Sequence, residues 1–156
     1  MTVLTVLYGV SLTMWVGGMV MASAIVTPVV FKVLAPDDAG RFLGLFFPRY
    51  YRFGIICGLV AAGTLLARLA GRHFWPSSLV QEAGIGTMVL LTVYAGYGLH
   101  PKIRRLKAVM HSPATSASEK VDAQNAFVRL HRQSMHVNGL TLLVGLLMVI
   151  RVLIHE

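Results

Sequence analysis

Residues 1–31 carry no charged side chain. Crossing a bilayer core takes about 20 apolar residues in a helix. Only a helix or a closed barrel can satisfy its own backbone in hydrocarbon, so this run predicts a membrane-crossing helix. A secretory leader is the competing reading, with Ala22-Ser23-Ala24 as the cleavage site. That reading needs a basic stretch at the start and a shorter apolar run, and neither is present. Three more apolar runs follow, which predicts spans at about 4–28, 53–69, 83–99 and 137–154. The expected fold is all-α: a four-helix transmembrane bundle in one domain, 1–156, with an interfacial helix after span 1 and a long final helix.

Composition agrees. Hydrophobic residues make up 56% of the chain and charged ones 13%, against roughly 45–50% and 25% in soluble domains. The net charge of +8 would suggest nucleic acid in a soluble protein. Here the cations flank apolar runs, so membrane lipids are the expected partner and nucleic acid is not. Eleven of the fourteen Lys and Arg residues fall in two loops, 32–52 and 100–136. The positive-inside rule then places both loops in the cytoplasm and both termini outside. The single Cys57 has no partner for an internal disulfide.

Local patterns fill in the spans. Tyr8, Ser11, Trp15, Gly18 and Ala22 recur at spacings of three and four, and Gly54, Gly58 and Ala62 form a second small-residue face. Such faces let helices approach closely, within the bundle or in a homo-oligomer or membrane complex. Pro28 removes a backbone donor and predicts a kink or stop before Phe31. Pro36-Asp37-Asp38 reads as the start of the interfacial helix, and Pro48 as its end, with Tyr50 and Tyr51 in the aromatic belt. Trp75 is the expected anchor of the second turn, beside His73. Ser116 and Glu119 have capping-box spacing. From there one helix to about Ile154 would reach roughly 57 Å, almost twice the bilayer core.

That last helix carries the candidate site. Phe127, His131, Ser134, Asn138, Thr141 and Gly145 fall on one stripe, while Arg129, Arg132 and His136 lie on a neighbouring face. Buried His, Ser and Asn need partners, because lipid offers none. His131, Ser134, Asn138, His100 and Arg49 are therefore the candidate ligand-binding residues, all at the cytoplasmic end. His131 and His100 are the candidate metal ligands; His131 and His136, five apart, lie about 140° apart around a helix and cannot grip one ion. Structural or interfacial histidines are the alternative. No HExxH, CxxC, P-loop, GxGxxG or GxSxG pattern occurs. Ser134 near His131 lacks an acid to orient the ring. The eight Met residues are scattered and read as core filler. No catalytic residue is identified.

Trp15-Val-Gly-Gly18, Thr27-Pro28-Val-Val-Phe31, the Leu45-Phe46-Phe47-Pro48-Arg-Tyr-Tyr51 stretch, His100-Pro101-Lys-Ile and Phe127…His131-Arg-Gln-Ser134…Asn138 resemble the family of transmembrane protein 205. The resemblance covers nearly the whole chain. It implies a small four-span protein of undefined biochemical role, with some eukaryotic relatives linked to resistance to platinum drugs. By it, Gly18, Pro28, Phe31, Pro101, His131, Ser134 and Asn138 carry over. The layout is also similar to copper-resistance protein D and to the membrane haem-b protoporphyrinogen oxidase. That likeness implies haem b and a histidine in the first helix, where this chain has Tyr8. The function readings are thus a membrane protein binding a small ligand or metal complex at the cytoplasmic mouth, a haem-b or quinone-linked oxidoreductase, and a structural or accessory subunit of a membrane complex.

Overall fold

The computed structural model describes residues 3–70 and 78–155. The described residues form helices and no strand. Helix α1 (Val3–Val20) runs through a π-helical segment (Met21–Val26) into α2 (Thr27–Val33). Helix α3 spans Pro36–Ala70. Helix α4 (Ser78–Val93) runs through a second π segment (Tyr94–Leu99) into α5 (His100–His111), and α6 spans Ala117–His155. The result is four rods, each long and apolar enough to cross a membrane: Val3–Val33, Pro36–Ala67, Leu79–His111 and Ala117–Ile154. Trp75 and His73 lie outside the described residues.

The breaks between rods follow from local chemistry. Leu34 is extended, with φ −101° and ψ 146°. Residues before a proline avoid the helical region, so Ala35-Pro36 cannot continue α2. The acids Asp37 and Asp38 then occupy the first turn of α3, where they favour the positive helix end. At α6 the capping box forms: the Ser116 N–H donates to Glu119 Oε2 at 3.0 Å and the Glu119 N–H to Ser116 Oγ at 3.4 Å. The Ser116 hydroxyl, donating to Glu119 Oε2 at 2.7 Å, and then the Ser116 N–H hold the Glu119 carboxyl below the usual carboxylate range.

Two prolines act differently from a simple stop. Of the kink or stop expected at Pro28, the stop does not occur. The turn before it widens instead, and the Thr27 N–H reaches back to the Ala22 carbonyl. The Thr27 hydroxyl donates to the same oxygen at 2.8 Å. A π turn relieves the clash of a proline ring with the preceding turn. Pro48 does not end the interfacial helix either. The segment after span 1 is helical, but it continues into span 2 as one 35-residue rod. Arg49 Nη1 donates to the Leu45 carbonyl at 2.8 Å and Arg52 Nε to that of Pro48 at 3.4 Å, so side chains serve the carbonyl of the turn before the proline and that of the proline itself. The rings of Phe42, Phe46 and Tyr50 stack at 6.0 and 6.1 Å and bridge the same turn.

The rods pack in a ring, α1 and α4 each touching both α3 and α6. The core gathers Tyr8, Leu12, Trp15, Met19, Ile85 and Met88, all fully buried. Trp15 fills the glycine face of α3. A Cβ at Gly54 would stand 2.6 Å from its indole nitrogen, and one at Gly58 2.7 Å from its ring. Gly145 admits Val16 and Met88, and Gly84 admits Met148. Leu59, Leu66 and Leu90 face outward at 61%, 63% and 71% exposure, as lipid-facing positions should.

Candidate functional site

The site lies at the end of the bundle that carries the two basic loops. Tyr51, on α3 one turn past Phe47, is buried. Its ring packs on Gly96 in the second π segment, where a Cβ would stand 2.9 Å from it. Its hydroxyl faces α6. There Asn138 Nδ2 donates to Tyr51 Oη at 3.1 Å, to the Ser134 carbonyl at 2.9 Å and to Ser134 Oγ at 3.4 Å. Ser134 and Asn138 are half-buried. The His100 ring, also half-buried, lies 6.1 Å from that of Tyr51 and 6.3 Å from that of Phe47. Tyr50 closes the wall, its ring 5.1 Å from that of Tyr51. A hydrogen-bonding floor thus meets an aromatic wall.

One to two turns further along α6 sits a second layer. His131 stacks flat on Phe127, centroids 5.7 Å apart and planes 6° apart. Lys107 of α5 places its ammonium 5.6 Å from the centre of the Phe127 ring, a cation–π distance. A Cβ at Gly40 of α3 would stand 3.2 Å from that Nζ. The 39-residue α6 is about 58 Å long, so its first half projects beyond a ~30 Å bilayer core. His131 belongs to this projecting part. Burial, and then the Lys107 charge, hold its pKa below the ordinary histidine value. The next link outward joins His111 Nε2 to Asp37 Oδ1 at 3.4 Å.

The structure therefore brings together Ser134, Asn138 and His100, and joins them through Tyr51. It leaves His131 one layer away with Phe127. Arg49 is exposed and bonded to its own helix, outside the cluster. Gly18 carries Phe53 against its backbone, Phe31 is 60% exposed, and Pro28 and Pro101 each follow a π segment. Among the described residues, no three His, Cys, Asp or Glu side chains gather as an ion would require. A two-histidine haem does not fit these residues. Tyr8 is enclosed in the apolar core, and His100 and His131 pack against different aromatic rings.

Tyr51 is the site residue that the sequence reading assigned elsewhere, to the aromatic belt. It is 87 positions from its partner Asn138, so no local pattern joins them. The available signal was the Phe47–Tyr51 spacing of four, which puts both rings on one helical face. A further tyrosine at this end is Tyr94, whose hydroxyl accepts from Gln133 Nε2 at 2.8 Å.

Four apolar rods carrying a half-buried polar cluster at one end define a small integral membrane protein. Residues 10–112, from within α1 to the end of α5, match the family described as a domain of unknown function (DUF4149), and the chain belongs to that family. The matched stretch holds Tyr51 and His100 and stops before Ser134 and Asn138. No curated protein and no solved structure matches the chain.

Proposed function

We propose that this is a non-enzymatic binding protein whose basic end faces the cytoplasm and takes a small ligand between α3, α5 and α6. The observation that carries the reading is the Asn138–Tyr51 hydrogen bond. It crosses between helices in a half-buried setting, and its donor and acceptor can be taken over by a ligand's polar group. The wall of Phe47, Tyr50 and Tyr51 suits a flat apolar body. The side assignment rests on the sequence count: Lys32, Arg41, Arg49, Arg52 and the seven cations from Lys102 to Arg132, against Arg68, Arg72 and Arg151 in the remaining segments. Kinship with transmembrane protein 205 belongs to the same reading, and makes a metal complex one candidate for the ligand.

The test is native mass spectrometry of the protein extracted with its own lipids, with metal analysis of the same sample. A small molecule or metal complex kept by the wild type and lost from Asn138→Leu is the expected result. No retained species in wild-type protein, or one retained equally by Asn138→Leu, overturns the site. A Soret band in the reduced spectrum would move the chain to the haem reading. Labelling of residue 131 from outside intact cells would overturn the side assignment.

A further inference from the structure

Three of the four rods lose regular α-helical hydrogen bonding at one level. In the first, the Thr27 N–H reaches back five residues to Ala22, and Pro28 follows. In the third, the His100 N–H reaches back five residues to Ala95, and Pro101 follows. The two breaks are built alike: a six-residue π segment, one residue, then proline. The α3 rod carries Pro48 inside it. Contacts show that these breaks share a layer. Val26, at the end of the first π segment, and Phe47, beside Pro48, pack on the same small cluster of Val30, Ala39 and Leu43. Phe47 meets His100 at 6.3 Å, and Tyr51 sits on Gly96 within the second π segment.

Only α6 passes this level without proline. It carries Asn138 there, whose amide bonds the Ser134 carbonyl four residues back as well as Tyr51. Side-chain bonds to that carbonyl bend helices. Gly139 follows, with nothing within 4 Å of where a Cβ would stand. On one side of the layer lie the large, fully buried side chains Trp15, Tyr8, Leu12, Met19, Ile85 and Met88. On the other, the buried apolar residues are Val30, Ala39, Leu43 and Ala123 among those described, with surface links such as His111–Asp37. The level itself holds Tyr51, Ala95 and Leu99 buried, but the side beyond it is thinly cored and moves at lower free energy than the packed bundle, and proline removes the donor that would lock a π turn into the α form.

We propose that this layer is a hinge plane. The basic-end extensions of the rods tilt as a unit on the packed bundle, the π segments absorb the motion, and the Tyr51–Asn138 hydrogen bond is the catch that holds the closed position. The hinge needs no ligand and stands apart from the binding reading.

Hydrogen exchange of the full chain in lipid nanodiscs, read by mass spectrometry, tests it. Tyr51→Phe removes the catch with little change in volume. Exchange should rise at least about threefold in both 21–28 and 94–101, while 8–18 and 83–92 keep the wild-type rate. A second variant deletes Gly98 and carries Pro101→Ala. A π segment is a one-residue insertion in an α-helix, so this deletion restores the α form and keeps the downstream face in register. It should slow exchange in 94–101 below wild type and remove that segment's response to Tyr51→Phe. Unchanged exchange in both π segments of Tyr51→Phe overturns the hinge. So does a uniform rise along the chain, which is the mark of unfolding.

Discussion

Trp15 and Tyr51 occupy comparable seats. Each is a large ring from one rod resting on glycine of a neighbour: Trp15 on Gly54 and Gly58, Tyr51 on Gly96. Both are buried, at 1% and 3% exposure. They differ in what surrounds the ring. Trp15 is held by shape within an apolar cluster. Tyr51 is held by shape and by one hydroxyl whose partner sits at a half-buried edge. Truncating a buried aromatic costs about 3–5 kcal/mol, while a hydrogen bond between membrane helices contributes about 0.6 on average and 1.7 at most. The first seat therefore sets how stable the bundle is. The second sets how its basic end is arranged, at a cost low enough to be exchanged for a ligand.

Trp15→Ala should show the largest effect, a loss of about 3–5 kcal/mol in unfolding free energy. Unfolding in mixed detergent micelles, followed by circular dichroism, measures it. A loss below about 1 kcal/mol would put the two seats on equal footing and break the contrast. Gly58→Ala comes next. Its Cβ would stand 2.6 Å from Val89 Cγ2 and 2.7 Å from the Trp15 ring, so it is squeezed from two rods. Overpacking costs about 1–3 kcal/mol, and relief from glycine in a helix returns up to about 1. With two rods pressing on the carbon the cost lies toward the upper end, and the expected net is a loss of up to about 2 kcal/mol. Gly63→Ala is the opposite case, with nothing within 4 Å of the new carbon, and should gain up to about 1 kcal/mol. The same sign at both positions would show that the glycine face of α3 is not selected by contact.

The difference between the seats also explains how much of each is legible in the sequence. The spans, the inward-facing stripe Tyr8–Ser11–Trp15–Gly18–Ala22 and the capping box at Ser116 are properties of one helix or one turn, so periodicity and spacing contain them. The meeting of Tyr51 with Asn138 is a property of how two rods are rotated against each other, and nothing local encodes it. Pro48 illustrates the other limit. A proline inside a helical pattern usually ends it, and only Arg49, Arg52 and the stacked rings around it show why this one does not.

The Tyr51 seat is sharpened by a double-mutant cycle of Tyr51→Phe and Asn138→Leu in the same unfolding assay. Each single change should cost about 0.6–1.7 kcal/mol, and the pair should cost less than the sum, since both remove one bond. Strict additivity would mean that the bond contributes nothing and that Tyr51 is a second Trp15, seated by shape alone.

The smallest effect belongs to His131, one layer out, and its sign is informative. Its pKa in the folded chain lies below the ordinary histidine value, because of burial first and the Lys107 charge second. In the window between the two values, which opens below about pH 6.5, the unfolded chain binds more protons than the folded one. Stability therefore rises with pH there and is lost as pH falls through the window. Because the ring is partly exposed, solvent screening keeps the effect small. A nuclear magnetic resonance titration of the His131 ring should show a midpoint below that of a free histidine, and Lys107→Met should move it upward. His131→Phe keeps the stack on Phe127 and should flatten the loss of stability between neutral and mildly acidic pH. A midpoint at the free value would mean that the ring is solvated, and one above it that the ring is paired with an acid; either would mean that the outer layer is not drawn together around Phe127 as the Lys107 and His131 contacts require.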